Sequence, residues 1–173
     1  MAVIDDRCVL AINGHLTCQQ VVDLVMEARP AVVAIDSPRS CAPDGQTARD
    51  RELQIAKSIC GIRWTPGERN VRASAYYAWI REGAGLFAAL ASHDVNLIEV
   101  FPTASWTRWH GRRGCLSRAV WTRQGLTALG LEGVPERTNQ DQRDAIAAAM
   151  TARQHSMGLT DTMGEIVVPA GRW

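Results

Sequence analysis

The chain has 173 residues, of which 46% are hydrophobic, and its formal net charge at pH 7 is +1. This length and apolar content predict one globular domain over residues 1–173, and the near-neutral charge gives no global argument for a polyanionic partner. No apolar run approaches the roughly 20 residues that a membrane-spanning helix needs. The acidic N-terminus MAVIDDRC also differs from a signal peptide. We therefore expect a cytoplasmic protein that does not contact a membrane.

The first predicted elements alternate between strand and helix. The segments RCVLAI and NGHLTC predict a hairpin around an Asn-Gly turn. The following CQQVVDLVMEARP has helical spacing and ends at a proline. Residues 31–35, AVVAI, lack the polar alternation of a half-exposed strand, which predicts a strand covered on both faces. This order indicates an α/β fold.

Further elements continue this alternation toward the C-terminus. They are a long loop over 37–67 with a helix near TARDRELQIAKSIC, a helix in ASAYYAWIREGAGLFAALASH interrupted around Gly83 to Gly85, a buried strand in VNLIEVFP, a helix from about Ser117 to Leu129, a helix in TNQDQRDAIAAAMTARQHSMG and a final strand in EIVVP. A loop of this length inside a compact domain is usually functional.

Carboxylates follow or interrupt the predicted buried strands. Asp36 stands at the carboxyl end of AVVAI, where open α/β sheets bind ligands. Glu99 lies within the apolar run LIEVFP, where a charge needs a cation, hydrogen bonds or a metal. Asp144 lies early in the last long helix, and Asp141 is its i−3 neighbour on one face. If these acids converge, they form an oxygen-rich site for Mg²⁺ or Mn²⁺.

Each acid also has a structural interpretation that the sequence leaves open. Asp36 can cap the turn DSPRS, and Glu99 can pair with a buried arginine. Asp141 matches a capping box with Thr138 and suits the helix macrodipole. Asp144 is harder to explain structurally, because the alanines that follow it allow the helix to approach the sheet closely.

A basic stretch follows the second buried strand. No acid occurs between Glu99 and Glu132, and the arginines there are Arg108, Arg112, Arg113, Arg118 and Arg123. Trp106, Trp109 and Trp121 alternate with them. Arginines grip phosphates and aromatic side chains stack on bases, so the stretch predicts a nucleic-acid-binding surface. The alternative for the tryptophans is that they fill the core.

Several of these segments resemble one known family. VVAIDSP, RDRELQ with the loop IRWTPGE, IEVFPTASW and RDAIAAAMTAR, in this order, are similar to domain-of-unknown-function family 429 over roughly residues 31–169. Its members are predicted nucleases with an RNase H-like fold. The resemblance implies an RNase H-like mixed β-sheet flanked by helices over residues 1–173. It also implies that Asp36, Glu99 and Asp144 are the catalytic acids, with Asp36, Asp144 and the neighbouring Asp141 as metal ligands.

The resemblance also raises a question about the first strand. RNase H-like proteins carry their first catalytic aspartate on an opening strand, and this chain begins close to what the pattern suggests is the second. The segment AVIDD offers Asp5 and Asp6 as substitutes but is predicted to be too short to form a strand and return. The first strand is therefore expected to be missing or degenerate, unless the extreme N-terminus replaces it or the recorded start is too late.

Two functions remain as hypotheses. The first is a metal-dependent nuclease in which Asp36 and Asp144 hold Mg²⁺ or Mn²⁺, Glu99 shares the metal or orients water, and the arginines bind the nucleic-acid backbone. The second is a catalytically degraded protein that binds nucleic acid on the same fold. A small-molecule phosphohydrolase is a weaker third reading, since no glycine-rich phosphate loop occurs. The sequence does not predict the substrate or the oligomeric state.

Overall fold

The computed structural model of the protein describes residues 1–171. Within that range it has six strands and seven α-helices, with a short 3-10 helix at Ala75–Tyr77. The strands are β1 (Ala2–Asp5), β2 (Cys8–Ile12), β3 (Val33–Ile35), β4 (Leu97–Val100), β5 (Thr160–Met163) and β6 (Ile166–Pro169). The helices are α1 (Cys18–Ala28), α2 (Asp50–Ser58), α3 (Glu68–Ala73), α4 (Ala78–Ala91), α5 (Pro102–His110), α6 (Arg118–Leu129) and α7 (Gln140–Ser156).

The larger sheet has four strands in the order β3-β4-β6-β5. Strands β3, β4 and β6 run parallel, and β5 pairs antiparallel with β6. Ile35 pairs with Glu99 across β3 and β4, so Asp36 leaves β3 beside the carboxyl end of β4. The sheet therefore brings these two acids to the same edge, as expected for parallel strands.

A separate hairpin is formed by β1 and β2, and it differs from the predicted one. Strand β2 confirms the predicted RCVLAI strand, but its partner is β1, joined through Asp6 and Arg7, and not NGHLTC. Thr17 instead caps α1, forming a capping box with Gln20, so the residues after Asn13 lead into a helix. The expectation that AVIDD is too short to form a strand and return is wrong, because a two-residue turn suffices.

Helix α7 joins the hairpin to the larger sheet, since it contacts β1 and β2 as well as every strand of that sheet. Its buried residues include Ile146, Ala147 and Met150, which pack with the tryptophans of α5 and α6. Within residues 1–171, β1 and β3 each have one edge that pairs with no other strand, and both edges line a groove of about 1260 Å³. Ala145, Ala148, Ala149 and Ala152 of α7 line this groove too.

Other predicted elements are confirmed with local corrections. The helix before residue 92 is continuous through Gly83 and Gly85, and the capping box of α7 uses Asn139 with Gln142 and not Thr138 with Asp141. Helix α5, which begins at Pro102 directly after β4, and strand β5 were not predicted.

The predicted mixed α/β class, with a mixed sheet flanked by helices, is confirmed. Its RNase H-like character stays a prediction. Across residues 1–171, none of the helices is long and apolar enough to cross a membrane.

The two glycines of α4 give a matched test of the packing at the end of β3. A Cβ added at Gly83 would overlap the side chain of Ser37, the neighbour of Asp36, whereas one added at Gly85 meets nothing within 4 Å. We expect Gly83→Ala to destabilise the fold by about 1–3 kcal/mol through overpacking. Gly85→Ala should be neutral or stabilising by up to about 1 kcal/mol, because alanine favours helix.

Denaturant unfolding of both variants measures the difference. Equal stability of the two would show that α4 does not approach β3 as described.

Candidate active site

A groove of about 970 Å³ opens at the edge of the sheet where β3 and β4 end, and we call it the carboxylate groove. Asp36 reaches it from the end of β3, and Asp141 and Asp144 reach it from the first turns of α7. Glu99 on β4 forms part of its wall. The fold therefore brings all four predicted acids to one concavity.

Glu99 is buried and paired with a buried arginine. Arg49 donates from Nη2 to Glu99 Oε1 at 2.6 Å and from Nη1 to Oε2 at 3.0 Å. The backbone N–H of Arg39 donates to Oε2 at 2.8 Å. Both carboxylate oxygens are thus occupied, and the buried-arginine interpretation that the sequence left open describes the observed pairing.

The same arginine also binds a second buried acid, Glu52 of α2. Arg49 Nε donates to Glu52 Oε1 at 2.9 Å, and the backbone N–H of Thr65 donates to Oε2 at 2.9 Å. Burial lowers the pKa of Arg49, but the bonds and charges of Glu99 and Glu52 outweigh this and raise it above its ordinary value. Arg49 therefore links β4 to α2 directly, and Glu52 links both to the loop at Thr65.

Asp144 has two oxygens in different surroundings. Its Oδ1 accepts from Trp106 Nε1 at 3.2 Å and from Gln140 Nε2 at 3.0 Å. Its Oδ2 accepts from Arg118 Nη2 at 2.8 Å. The arginine side chain is 44% exposed, whereas Trp106 is fully buried. One oxygen is fixed by the core and the other faces the groove.

Asp36 accepts no hydrogen bond from any side chain within the described part of the protein, and it stands among like charges. Its side chain is exposed, but the walls of the groove crowd the carboxyl group, and this partial desolvation is the main cause that raises its pKa to about 7. The charges of Asp144, Asp141 and Glu99 raise this pKa further, while Arg118 lowers it. Among the described residues, Asp36 is therefore a groove carboxylate whose charge is not neutralised by a direct ion pair.

These residues suit a divalent cation that keeps much of its water. In residues 1–171, no three His, Cys, Asp or Glu side chains stand as a ready-made metal cluster. Mg²⁺, however, is usually bound by one or two carboxylates together with waters and substrate phosphates. Asp36 and Oδ2 of Asp144 are the two groups that could act as such ligands, although Oδ2 is bonded to Arg118, and Asp141 is close enough to act on Asp36 by its charge.

The predicted arginines divide into two groups. Arg112, Arg113 and Arg118 line the carboxylate groove, where Arg63, which the sequence analysis did not single out, also lies. Arg108 and Arg123 lie outside it: Arg108 pairs with Asp161 of β5 at 3.6 Å, and Arg123 is exposed on α6. The groove therefore places three of the five cations beside the carboxylates.

The predicted stacking surface is wrong for the tryptophans. Trp106, Trp109 and Trp121 are 0%, 7% and 3% exposed and belong to one core cluster with α7. Their ring N–H groups are satisfied by Asp144, Gln154 and the backbone of Gly111. They pack in the core beneath the groove, and their rings are too buried for a nucleic-acid base to stack on them.

Arg49 and Glu52 are two further residues of the site whose pairing the sequence did not predict. The only local signal was their i, i+3 spacing in RDREL at a helix start. Glu99 is 50 residues further along the chain, so nothing local links it to Arg49.

The fold and groove define an α/β protein with a carboxylate cluster at the carboxyl edge of its parallel strands. Comparison with protein families matches residues 1–167 to "Protein of unknown function (DUF429)", so the chain belongs to that family. This confirms the resemblance found in the sequence, and the family's description assigns no activity. No curated protein and no solved structure matches the chain.

The raised pKa of Asp36 predicts a pH-dependent stability. Between about pH 4 and pH 7 the folded protein keeps a proton on Asp36 that the unfolded chain has released, so stability falls as the pH rises through this window. Asp36→Asn removes the penalty. We expect the variant to melt at a higher temperature than the wild type at pH 8, with the gain shrinking toward pH 4.

Thermal melts from pH 4 to pH 8 measure this effect. Asp94→Asn, a change at an exposed turn residue, is the control and should follow the wild type. Parallel profiles for Asp36→Asn and the wild type would contradict the account of Asp36.

Proposed function

We propose that the protein is a divalent-metal-dependent hydrolase of nucleic-acid phosphodiester bonds. The observation that carries this proposal is the uncompensated carboxylate of Asp36 beside Asp144, in a groove that Arg112, Arg113 and Arg118 also line. Acids and arginines in one open groove suit a substrate that is itself anionic and needs a cation at phosphorus. An RNase H-like fold, as the family resemblance implies, is compatible with this arrangement.

Each residue has a separate role in this proposal. Asp36 and Asp144 would hold the metal, with Asp141 beside them as a further acidic group. The metal, Mg²⁺ or Mn²⁺, supplies charge neutralisation at phosphorus and a more acidic water. Arg112 and Arg113 are exposed in the loop after α5, so they can follow the phosphates of a bound strand. Glu99 we assign to holding Arg49, since both of its oxygens are already bonded.

One observation favours a second candidate, a nucleic-acid-binding protein without catalysis. Arg49 and Arg118 already neutralise Glu99 and Asp144, so two of the four predicted acids have a counter-ion without any metal. Such a protein would bind nucleic acid in a salt-sensitive manner, and binding would survive Asp36→Asn. Cleavage distinguishes the two candidates.

The proposed hydrolase predicts metal-dependent cleavage in a panel of single-stranded, duplex and branched DNA and RNA. With Mg²⁺ or Mn²⁺ present, we expect Asp36→Asn and Asp144→Asn to lose more than about 100-fold in rate, because even residues that only support metal ligands contribute roughly 10–100-fold. Asp94→Asn, which changes an exposed turn residue, should keep the wild-type rate.

Two outcomes would count against the hydrolase. One is no cleavage of any substrate with either metal. The other is equal cleavage by the wild type and Asp36→Asn.

A further inference from the structure

Two arginines neutralise acids of the carboxylate groove, one from a buried position and the other from a half-exposed position. Arg49 is 2% exposed and binds both oxygens of Glu99, which is 3% exposed. Arg118 is 44% exposed and reaches only one oxygen, Oδ2 of Asp144. A buried, bidentate pair is hard to break, whereas a pair with a half-exposed partner is weak. Arg118 is therefore the groove cation that can leave.

Arg118 also acts on both of the carboxylates to which the proposed function assigns the metal. It is the first residue of α6, and its charge acts on Asp36 as well as on Asp144, lowering the pKa of Asp36. The opposite oxygen of Asp144 is held by Trp106 and Gln140 and would stay in place if Arg118 moved. The guanidinium of Arg118 thus binds one of the two carboxylates that a divalent cation would share, and its charge acts on the other.

We propose that Arg118 is a displaceable counter-ion. A divalent cation that binds Asp36 and Asp144 displaces the guanidinium from Asp144 Oδ2, and the released side chain then binds a phosphate of the nucleic acid in the carboxylate groove. This inference rests on the proposed function, because it requires both a metal and a nucleic acid. It predicts that metal and nucleic acid each strengthen the binding of the other.

The exchange has an energetic logic. Without metal, the charge of Arg118 reduces the repulsion between Asp36 and Asp144. With metal, the two carboxylates gain a doubly charged partner, and the arginine gains a phosphate. Binding of metal and of nucleic acid should therefore be positively coupled through one side chain.

The first test is metal binding alone. Titration calorimetry with Mn²⁺ should give Arg118→Gln an affinity about two- to fivefold higher than the wild type, the gain expected from removing a weak competing ion pair. Arg72→Gln removes another exposed arginine, one that pairs with Glu68 away from the groove, and should leave the Mn²⁺ affinity unchanged. Asp144→Asn should lose Mn²⁺ affinity.

The second test is the salt dependence of oligonucleotide binding, with Ca²⁺ in place of a catalytic metal. Losing one phosphate contact lowers the slope of log affinity against log salt by about 1. We expect Arg118→Gln to lower the slope in this way with Ca²⁺ present and to leave it unchanged without metal. If Arg118 had only a structural role, Arg118→Gln would lower the melting temperature and change neither the Mn²⁺ affinity nor the salt slope.

The outcomes separate this inference from the proposed function. Metal-dependent cleavage by the wild type, with unchanged or weaker Mn²⁺ binding by Arg118→Gln, overturns the displacement and leaves the hydrolase intact. An equal loss of salt slope with and without Ca²⁺ also overturns it, because Arg118 would then bind phosphate regardless of metal. No Mn²⁺ binding by the wild type overturns both.

Discussion

The buried guanidinium of Arg49 is the constraint on which the groove depends. It binds Glu99 on β4 and Glu52 on α2, and Glu52 in turn accepts from the backbone of Thr65. Three charges sit at 1–3% exposure, so the group is stable only while every partner is in place. This requirement fixes the start of α2 and the loop at Thr65 against the strand end that carries the acids.

That constraint separates two kinds of acid at the sheet edge. Glu99 is neutralised inside the protein and contributes to the frame. Asp36, Asp141 and Asp144 face the groove. The pKa of Asp36 is raised first by desolvation and then by the charges of Asp144 and Asp141, and Arg118 offsets only part of this. These groove-facing acids are the residues on which the proposed cation-dependent chemistry rests.

Much of the fold could be predicted from periodicity. The apolar runs around residues 33–35 and 97–100 are strands, and the last long helix begins close to its expected start, because these patterns reflect burial directly. The predicted partner strand of the hairpin was wrong. The Asn-Gly dipeptide at Asn13 indicated a turn into a second strand, but Thr17 forms a capping box, so the chain enters helix α1 there. Helix α5 was missed because it has only nine residues, from Pro102 to His110, which is too short for a clear helical pattern.

The site was predictable in its acids and not in their partners. Asp36 and Asp144 stand at positions that the α/β order itself brings together. The pairing of Arg49 with Glu99 joins residues far apart in sequence, and no local pattern encodes it. For the tryptophans the sequence left a stacking surface and the core as alternatives, and the core is confirmed: Trp106 and Trp109 are three residues apart on one buried helix face.

The most direct measurement is the stability of Arg49→Met against Arg72→Met. The first leaves Glu99 and Glu52 buried without their cation, and the account predicts a loss of about 3–5 kcal/mol in the free energy of unfolding near pH 7. That loss should shrink as the pH falls, because protonation removes the unpaired buried charges. Arg72→Met breaks an exposed pair and should lose no more than about 1 kcal/mol. Equal small losses for the two variants would contradict the account, because Arg49 would then not hold the frame of the groove.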